Sequence, residues 1–446
     1  MAEVKVIKTA AETALAQEFA QARTRLPGAG AIAEARSAAF DLFSREGLPH
    51  RRVEDWKYTD LRALMREAKP LAGPPDAAAK AREKTAGRWL GDVETRRLVF
   101  VDGAFVAELS DIAALEAGLT IGSLADALAG NDPAVSKYLG KLAAPDNVAV
   151  ALNTALMGDG AVIRVAANST IKRPLHLLFI ASGKPNADFV RSLVVVERGA
   201  RAMLIESYEG EGGDYQVNAA LELFIADEAH VDHVKIVSEG KDALHVSTLA
   251  VAIGAKARFN AFNFVIGGAV VRNQLFLNFD GENTVANIRG ATLIRGRQHA
   301  DTTLVAQHGA PGCQSREVFK SVLDDEAHGV FQGRIIVRSG AQQTDAKMMT
   351  RALLLSEQAE ADHKPELEIF ADDVQCGHGA TAGAIDEDLK FYLMARGIPP
   401  AEAEALLIQA FLGEAVEGIE HAGLREALMD EVAAWLKARS AREAAA

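Results

Sequence analysis

Between about residue 148 and residue 385 the chain reads as strand after strand, with hardly a helical pattern, and no other feature limits the fold as much. Pro174–Ile180, Ser192–Val196, Ala219–Ile225, His245–Ile253, Arg272–Phe279 and Val330–Val337 are runs of this kind, rich in β-branched and aromatic residues. Similar turn-to-strand junctions recur: Gly199-Ala-Arg-Ala-Met-Leu, Asp227-Glu-Ala-His-Val, Gly254-Ala-Lys-Ala-Arg-Phe, Gly281-Glu-Asn-Thr-Val and Asp325-Glu-Ala-His-Gly-Val. Neighbouring junctions stand roughly 26–29 residues apart, and the last interval, about 44, reads as two coils of about 22. A propeller would keep a more regular period, whereas a solenoid tolerates unequal coils because each touches only its neighbours. Polar turns with inward Val, Ile, Leu, Phe and Ala therefore predict a parallel β-helix. A tandem of β-sandwiches is the structural rival.

The flanks are of another kind. Residues 1–130 read as a mostly helical domain. Leu15, Phe19 and Ala22 make one apolar stripe, and Ile32, Ala35, Ala39, Phe40 and Phe43 a second. Gly47–Leu61 breaks and restarts the helix. Residues 70–88 read as a Pro-, Ala- and Gly-rich linker, and Asp102-Gly103 as a hairpin turn inside Leu98–Val106. The β-helix core is assigned to 131–385. Residues 386–446 read as a C-terminal helical domain with stripes Leu407, Ala410, Phe411 and Leu424, Leu428, Val432, Trp435. Its removal is expected to leave the β-helix folded.

A net charge of −13 argues against a phosphate-backbone footprint, so no nucleic-acid partner is expected. Met1–Ile7 lacks the apolar core of a signal peptide, and no apolar run of 18 or more residues occurs, so no membrane span is expected. Two cysteines, Cys313 and Cys376, make no disulfide framework and suit a reducing, cytoplasmic compartment.

Chemistry-bearing residues gather in a few places. Asp-Glu-Ala-His occurs at 227–230 and 325–328, but with no Gly-x4-Gly-Lys-Ser/Thr loop it reads as turns entering solenoid coils, and no nucleotide is expected on the chain. His299, Asp301, His308 and Cys313 are all metal-ligand types, yet their spacing matches no metal motif; a polar ladder or interface is the preferred reading. Cys376 stands two residues from His378, a thiolate–imidazole pairing that suits iron, copper or zinc. Two ligands cannot fill a metal site, and a buried cysteine also serves as a small hydrophobe, so packing and ligation both stay open. A Cys376–His378–Asp372 hydrolase is disfavoured because neighbours on one strand make a poor nucleophile–base pair.

Lys364–Thr381, followed by Phe391–Ile398, strongly resembles the SufB/SufD family of iron–sulfur cluster assembly scaffolds. The resemblance covers most of residues 150–412. Gly47–Leu61 is similar to the N-terminal signature of the SufD branch. The absence of a cysteine just before Leu353-Leu354 also favours that branch over SufB. The resemblance implies a right-handed parallel β-helix between helical domains, and a non-enzymatic scaffold role. It implies pairing with SufB through the β-helix, and recruitment of the SufC ATPase by the C-terminal helices. It also implies a transient iron–sulfur cluster at the SufB–SufD interface, to which His378 and Cys376 would contribute. A carbohydrate-active β-helix enzyme is the alternative in another class, and a structural homodimer a third reading.

Overall fold

The structure, a computed structural model, describes residues 8–87, 90, 93–142 and 146–443. The reading of Met1–Ile7 lies outside the described residues. The chain opens with helices α1 (Ala10–Ala22), α2 (Ala31–Glu46), α3 (Leu61–Leu64) and α4 (Ala77–Lys80). Strands β1 (Arg96–Val101) and β2 (Ala104–Phe105) then form the expected hairpin. Its turn residues Asp102 and Gly103 both have positive φ, 46° and 75°, as an Asp-Gly hairpin turn requires. Next come β3 (Leu119–Ser123), α5 (Leu124–Ala129), α6 (Pro133–Tyr138) and α7 (Val148–Leu156).

The long run of strands follows: β4 (Ala161–Val165), β5 (Leu175–Ala181), β6 (Ala187–Val196), β7 (Arg201–Gly210), β8 (Gln216–Ile225), β9 (His230–Ser238) and β10 (Leu244–Ile253). It continues through β11 (Arg258–Val265), β12 (Val270–Phe279), β13 (Val285–Ile294), β14 (His299–His308) and β15 (Gln314–Leu323). It ends with β16 (His328–Val337), β17 (Asp345–Leu354), β18 (Glu360–Ile369) and β19 (Gln375–Gly383). Helices α8 (Glu387–Met394), α9 (Pro400–Val416) and α10 (Ala422–Glu443) close the chain.

Even-numbered strands from β4 to β18 stack in parallel in one sheet, and odd-numbered strands from β5 to β19 in the other. The result is a parallel β-solenoid of about 8 turns. The expected β-helix is what the chain forms. Its interior is one apolar core running from Leu98 and Phe100 to Ala346 and Met348.

One edge shows how the sequence writes this repeat. Gly199, Glu228, Lys256, Asn283, Gly312 and Gln343 each have positive φ, one per coil, at the turn from an even to an odd strand. Each donates its backbone N–H to the turn of the next coil: Gly199 to Asp227, Glu228 to Ala255, Lys256 to Glu282, Asn283 to Pro311, Gly312 to Gln342 and Gln343 to Asp373. The residue after each is small and buried: Ala200, Ala229, Ala257, Thr284, Cys313 and Thr344. Asp325, also at positive φ, lies on the opposite edge, between β15 and β16. The last interval therefore spans about one and a half coils of about 29 residues and not two of 22; turns on both edges draw on the same polar residues.

Two regions differ from the sequence reading. Residues 133–138 and 148–156 are helices, although they fall in the stretch assigned to strands. In α7 nearly every residue is buried, so no amphipathic period shows, and the Asn147 side chain caps it by accepting from the N–H groups of Ala149 and Val150. Most of the expected linker 70–88 is ordered: Leu71 bridges Ala187, and Asp76 caps α4.

The helices cover the solenoid's two outer faces. Leu15, Phe19, Phe43, Trp56, Leu152 and Leu156 pack on Phe189, Leu244 and Val246 of the even sheet. From α9 and α10, Ile408, Leu412, Leu424, Leu428, Val432 and Trp435 pack on Ile205, Val234, Ile236, Phe262, Phe264 and Val322 of the odd sheet. The α10 stripe is as expected. The buried face of α9 is Ala403, Ile408, Leu412, Ala415 and Val416, one residue on from the expected stripe, with Ala410 exposed.

Candidate functional site

The two ends of the solenoid are unlike. At the first end β2 and β3 pair antiparallel with β1 and β4. At the last end, among the described residues, β18 pairs only with β16, and β19 only with β17, so each offers a free backbone edge. Their exposure changes accordingly. Strand β16 is mostly buried, whereas β18 has no buried residue and most of β19 is exposed. Phe370, in the turn between them, is 60% exposed.

Alternation sorts β18 into two rows. Glu360, Asp362, Lys364, Glu366 and Glu368 form the outer row, whose charges discourage indiscriminate strand pairing. His363, Pro365, Leu367 and Ile369 are in register with Phe331, Gly333, Ile335 and Val337, the inward row of β16. Pro365 is tolerated here because an edge strand needs no second ladder.

The same logic places both candidate ligands. Cys376 is in register with buried Ala346, and His378 with buried Met348, so both belong to the inward row of β19. Cys376 is half-buried against the core, while His378 is exposed at the open lip. Two residues apart on a strand, their Cα atoms are about 6.8 Å apart. Among the described residues the His378 imidazole has no hydrogen-bond or ion-pair partner, which leaves both ring nitrogens available. A Cβ on Gly379 would come within 2.7 Å of Met349 Cε, so a larger residue there would have to push the flexible end of that side chain aside. Gly377 has open space around it and leaves room for another chain's backbone.

Burial pushes the Cys376 thiol above its ordinary pKa, and the Asp345 and Glu317 carboxylates add to the effect. The group is therefore a thiol at neutral pH until a cation stabilises the thiolate. Glu317 lies two strands deeper in the same row, in register with Met348 and hence with His378. It is fully buried, and burial, opposed in part by the Ser315 hydroxyl and the Arg316 charge, pushes its pKa up to about 7. Across the lip, burial lowers the pKa of His363, keeping a neutral imidazole near the same opening.

His363 and Glu317 were missed in the sequence, although the β18 and β15 alternation marks both as inward. Asp372 is exposed in the β18–β19 turn and takes no part. The group His299, Asp301, His308 and Cys313 does not come together. His308 and Cys313 point into the core, where His308 stacks on Phe279 at 4.1 Å and Cys313 Sγ donates to the Gly281 carbonyl at 3.2 Å. Cys313 simply fills a corner position that other coils give to Ala or Thr. His299 and Asp301 face outward beneath Thr59. Among the described residues the only three-ligand group with its atoms within 4.8 Å of one another is His230, Asp232 and Glu420, and there the Asn260 amide already donates to Asp232. The lip around Cys376 and His378 is thus not a complete cage.

Comparison with known sequences bears on this arrangement. The SUF system FeS cluster assembly SufBD core domain matches residues 179–411, and the SufBD protein N-terminal region matches residues 10–177. An iron–sulfur cluster assembly SufBD family protein of Synechocystis is 34% identical over 401 residues, covering 87% of this chain and 88% of its own. The iron–sulfur cluster assembly protein SufD of Escherichia coli is 31% identical over 394 residues, covering 87% and 89%. SufD of Bacillus subtilis is 28% identical over 305 residues, covering 67% and 69%.

Proposed function

The chain belongs to the SufBD family of iron–sulfur cluster assembly proteins, and on that premise we propose that it is the SufD-type scaffold subunit of a cytoplasmic SUF complex. In this reading the free last coil, β18 and β19, is covered by the β-helix of SufB. His378, with Cys376 behind it, supplies ligands to a nascent cluster completed by the partner. The observation that carries the reading is the combination of two unpaired strand edges with two unused metal-ligand types at one open lip. Edge pairing would satisfy the free backbone groups. A cation arriving at the lip would draw the Cys376 proton off.

The C-terminal helices are proposed to hold the SufC ATPase. The helix α8 supports this: it buries none of its own residues, and Phe391 is 71% and Tyr392 54% exposed. The chain itself is proposed to be a non-enzyme. It has no phosphate loop, and on β18 the outer carboxylates Glu366 and Glu368 are neutralised by Arg334, which does not suit acid–base catalysis in a groove. Among the described residues no helix is long and apolar enough to cross a membrane.

Co-expression with SufB and SufC, followed by native mass measurement, tests the reading. The expected species contains all three chains. A homodimer of this chain that excludes SufB at equal expression contradicts it. ATP turnover by the isolated chain contradicts the non-enzyme assignment.

A further inference from the structure

On the outer face of the even sheet, His299 of β14 and His328 of β16 are in register, with their rings in edge contact at a centroid distance of 4.9 Å. Their Nδ1 atoms face each other at 3.2 Å. The far nitrogens are both engaged: His299 Nε2 lies 2.8 Å from Thr59 Oγ1, and His328 Nε2 lies 2.8 Å from Asp362 Oδ2.

The hydrogen bonds fix the tautomers. Asp362 can only accept, so His328 carries its proton on Nε2. Thr59 has one hydroxyl proton and gives it to Asp301, whose carboxylate is ion-paired with Arg272. The Thr59 oxygen therefore accepts from His299, which also carries its proton on Nε2. In these tautomers both Nδ1 atoms are acceptors, and the 3.2 Å contact becomes favourable when they share a cation, either a proton carried by His328 or a metal ion.

We propose that His299 and His328 form a binding site for a divalent transition-metal ion of the zinc class. At a Zn–N distance of about 2.05 Å, the 3.2 Å separation gives an N–Zn–N angle of roughly 100–105°, close to tetrahedral. Asp362 and Thr59 hold the rings from behind, the usual support for metal-binding imidazoles. Among the described residues no third His, Cys, Asp or Glu brings a ligand atom to this pair, so water completes the coordination. The site is separate from Cys376 and His378, which lie on the other sheet. A metal here would tie the Thr59 segment and the last strand of the even sheet to the same rung.

The test uses the full chain carrying Cys376→Ser and His378→Ala, so that the lip contributes nothing. Chelator-treated protein is titrated with Zn(II) by equilibrium dialysis and with Co(II) by visible absorption. One equivalent is expected to bind, with imidazole coordination of the cobalt. His299→Gln and His328→Gln, each verified as folded by circular dichroism, are expected to abolish it. Asp362→Asn is expected to weaken it about 10–100-fold. Should either Gln variant fail to fold, Asp362→Asn provides the comparison. Binding that survives the histidine substitutions, or that is indifferent to Asp362 in the fallback, overturns the proposal. So does a folded parent chain that takes up no metal.

Discussion

The Trp56 ring lies 4.4 Å from the Arg272 guanidinium, which is also ion-paired with Asp301 and donates to the Asp55 carbonyl at 2.6 Å. Arg272 and Asp301 are fully buried. A segment near the N-terminus is thereby locked onto adjacent strands of the solenoid. The Gly47–Leu61 motif thus has a structural role, placing Trp56 over Arg272 and Thr59 against Asp301 and His299.

Arg272→Ala is expected to cost about 3–5 kcal/mol, because it strands the buried Asp301 carboxylate. Trp56→Ala should cost a similar ~3–5 kcal/mol by emptying its site. Since the two residues touch, the double variant should lose less than the sum. Urea denaturation measures all three; strict additivity would show that the contact carries no energy.

Glu317 predicts a pH dependence. Its folded pKa, about 7, is raised above the ordinary 4.5, so the folded state holds the proton more tightly than the unfolded one. The stability it contributes is fully present below about pH 4.5 and is lost as pH rises through about 7, on the order of 2–4 kcal/mol. Glu317→Gln should flatten that slope in denaturation curves taken across the range. It should also lower the Cys376 pKa, since a carboxylate behind the thiol is removed. Thiol alkylation rate against pH reads this second effect; an unchanged profile would show that Glu317 does not act on Cys376.

Deleting residues 386–446 would not leave an intact β-helix, because it bares Ile205, Val234, Phe262, Phe264 and Val322. A cleaner test of ATPase docking is Phe391→Asp with Tyr392→Asp. Neither side chain is buried, so melting should shift by little, within about 0.5 kcal/mol, while SufC capture in pull-downs should be lost. Full capture by the folded double variant places the contact elsewhere.

The β-helix was legible because alternation over more than a hundred residues admits few architectures. The phase of the coils was not. Asp-Glu-Ala-His at 227 and at 325 looks the same in sequence but occupies opposite edges, since turns on both sides need the same polar, left-handed residues. Helix α7 was hidden by burial on all sides. In α9 the apolar runs at 406–408 and 410–412 allow either face, and only packing on β13 and β15 selects Ile408 and Leu412. Cys376 and His378 were found because a Cys-x-His pair is visible locally. The pairing of His299 with His328 was not, because it depends on strand register between residues 29 positions apart.

The central claim is that the open lip of the last coil holds a nascent cluster through His378. The direct measurement is cluster yield, by absorbance and iron and sulfide analysis, on a reconstituted complex with SufB and SufC carrying His378→Ala. The account predicts a folded, fully assembled complex whose cluster yield falls severalfold, with Cys376→Ser giving a smaller loss. Wild-type yield from a verified His378→Ala complex would contradict it.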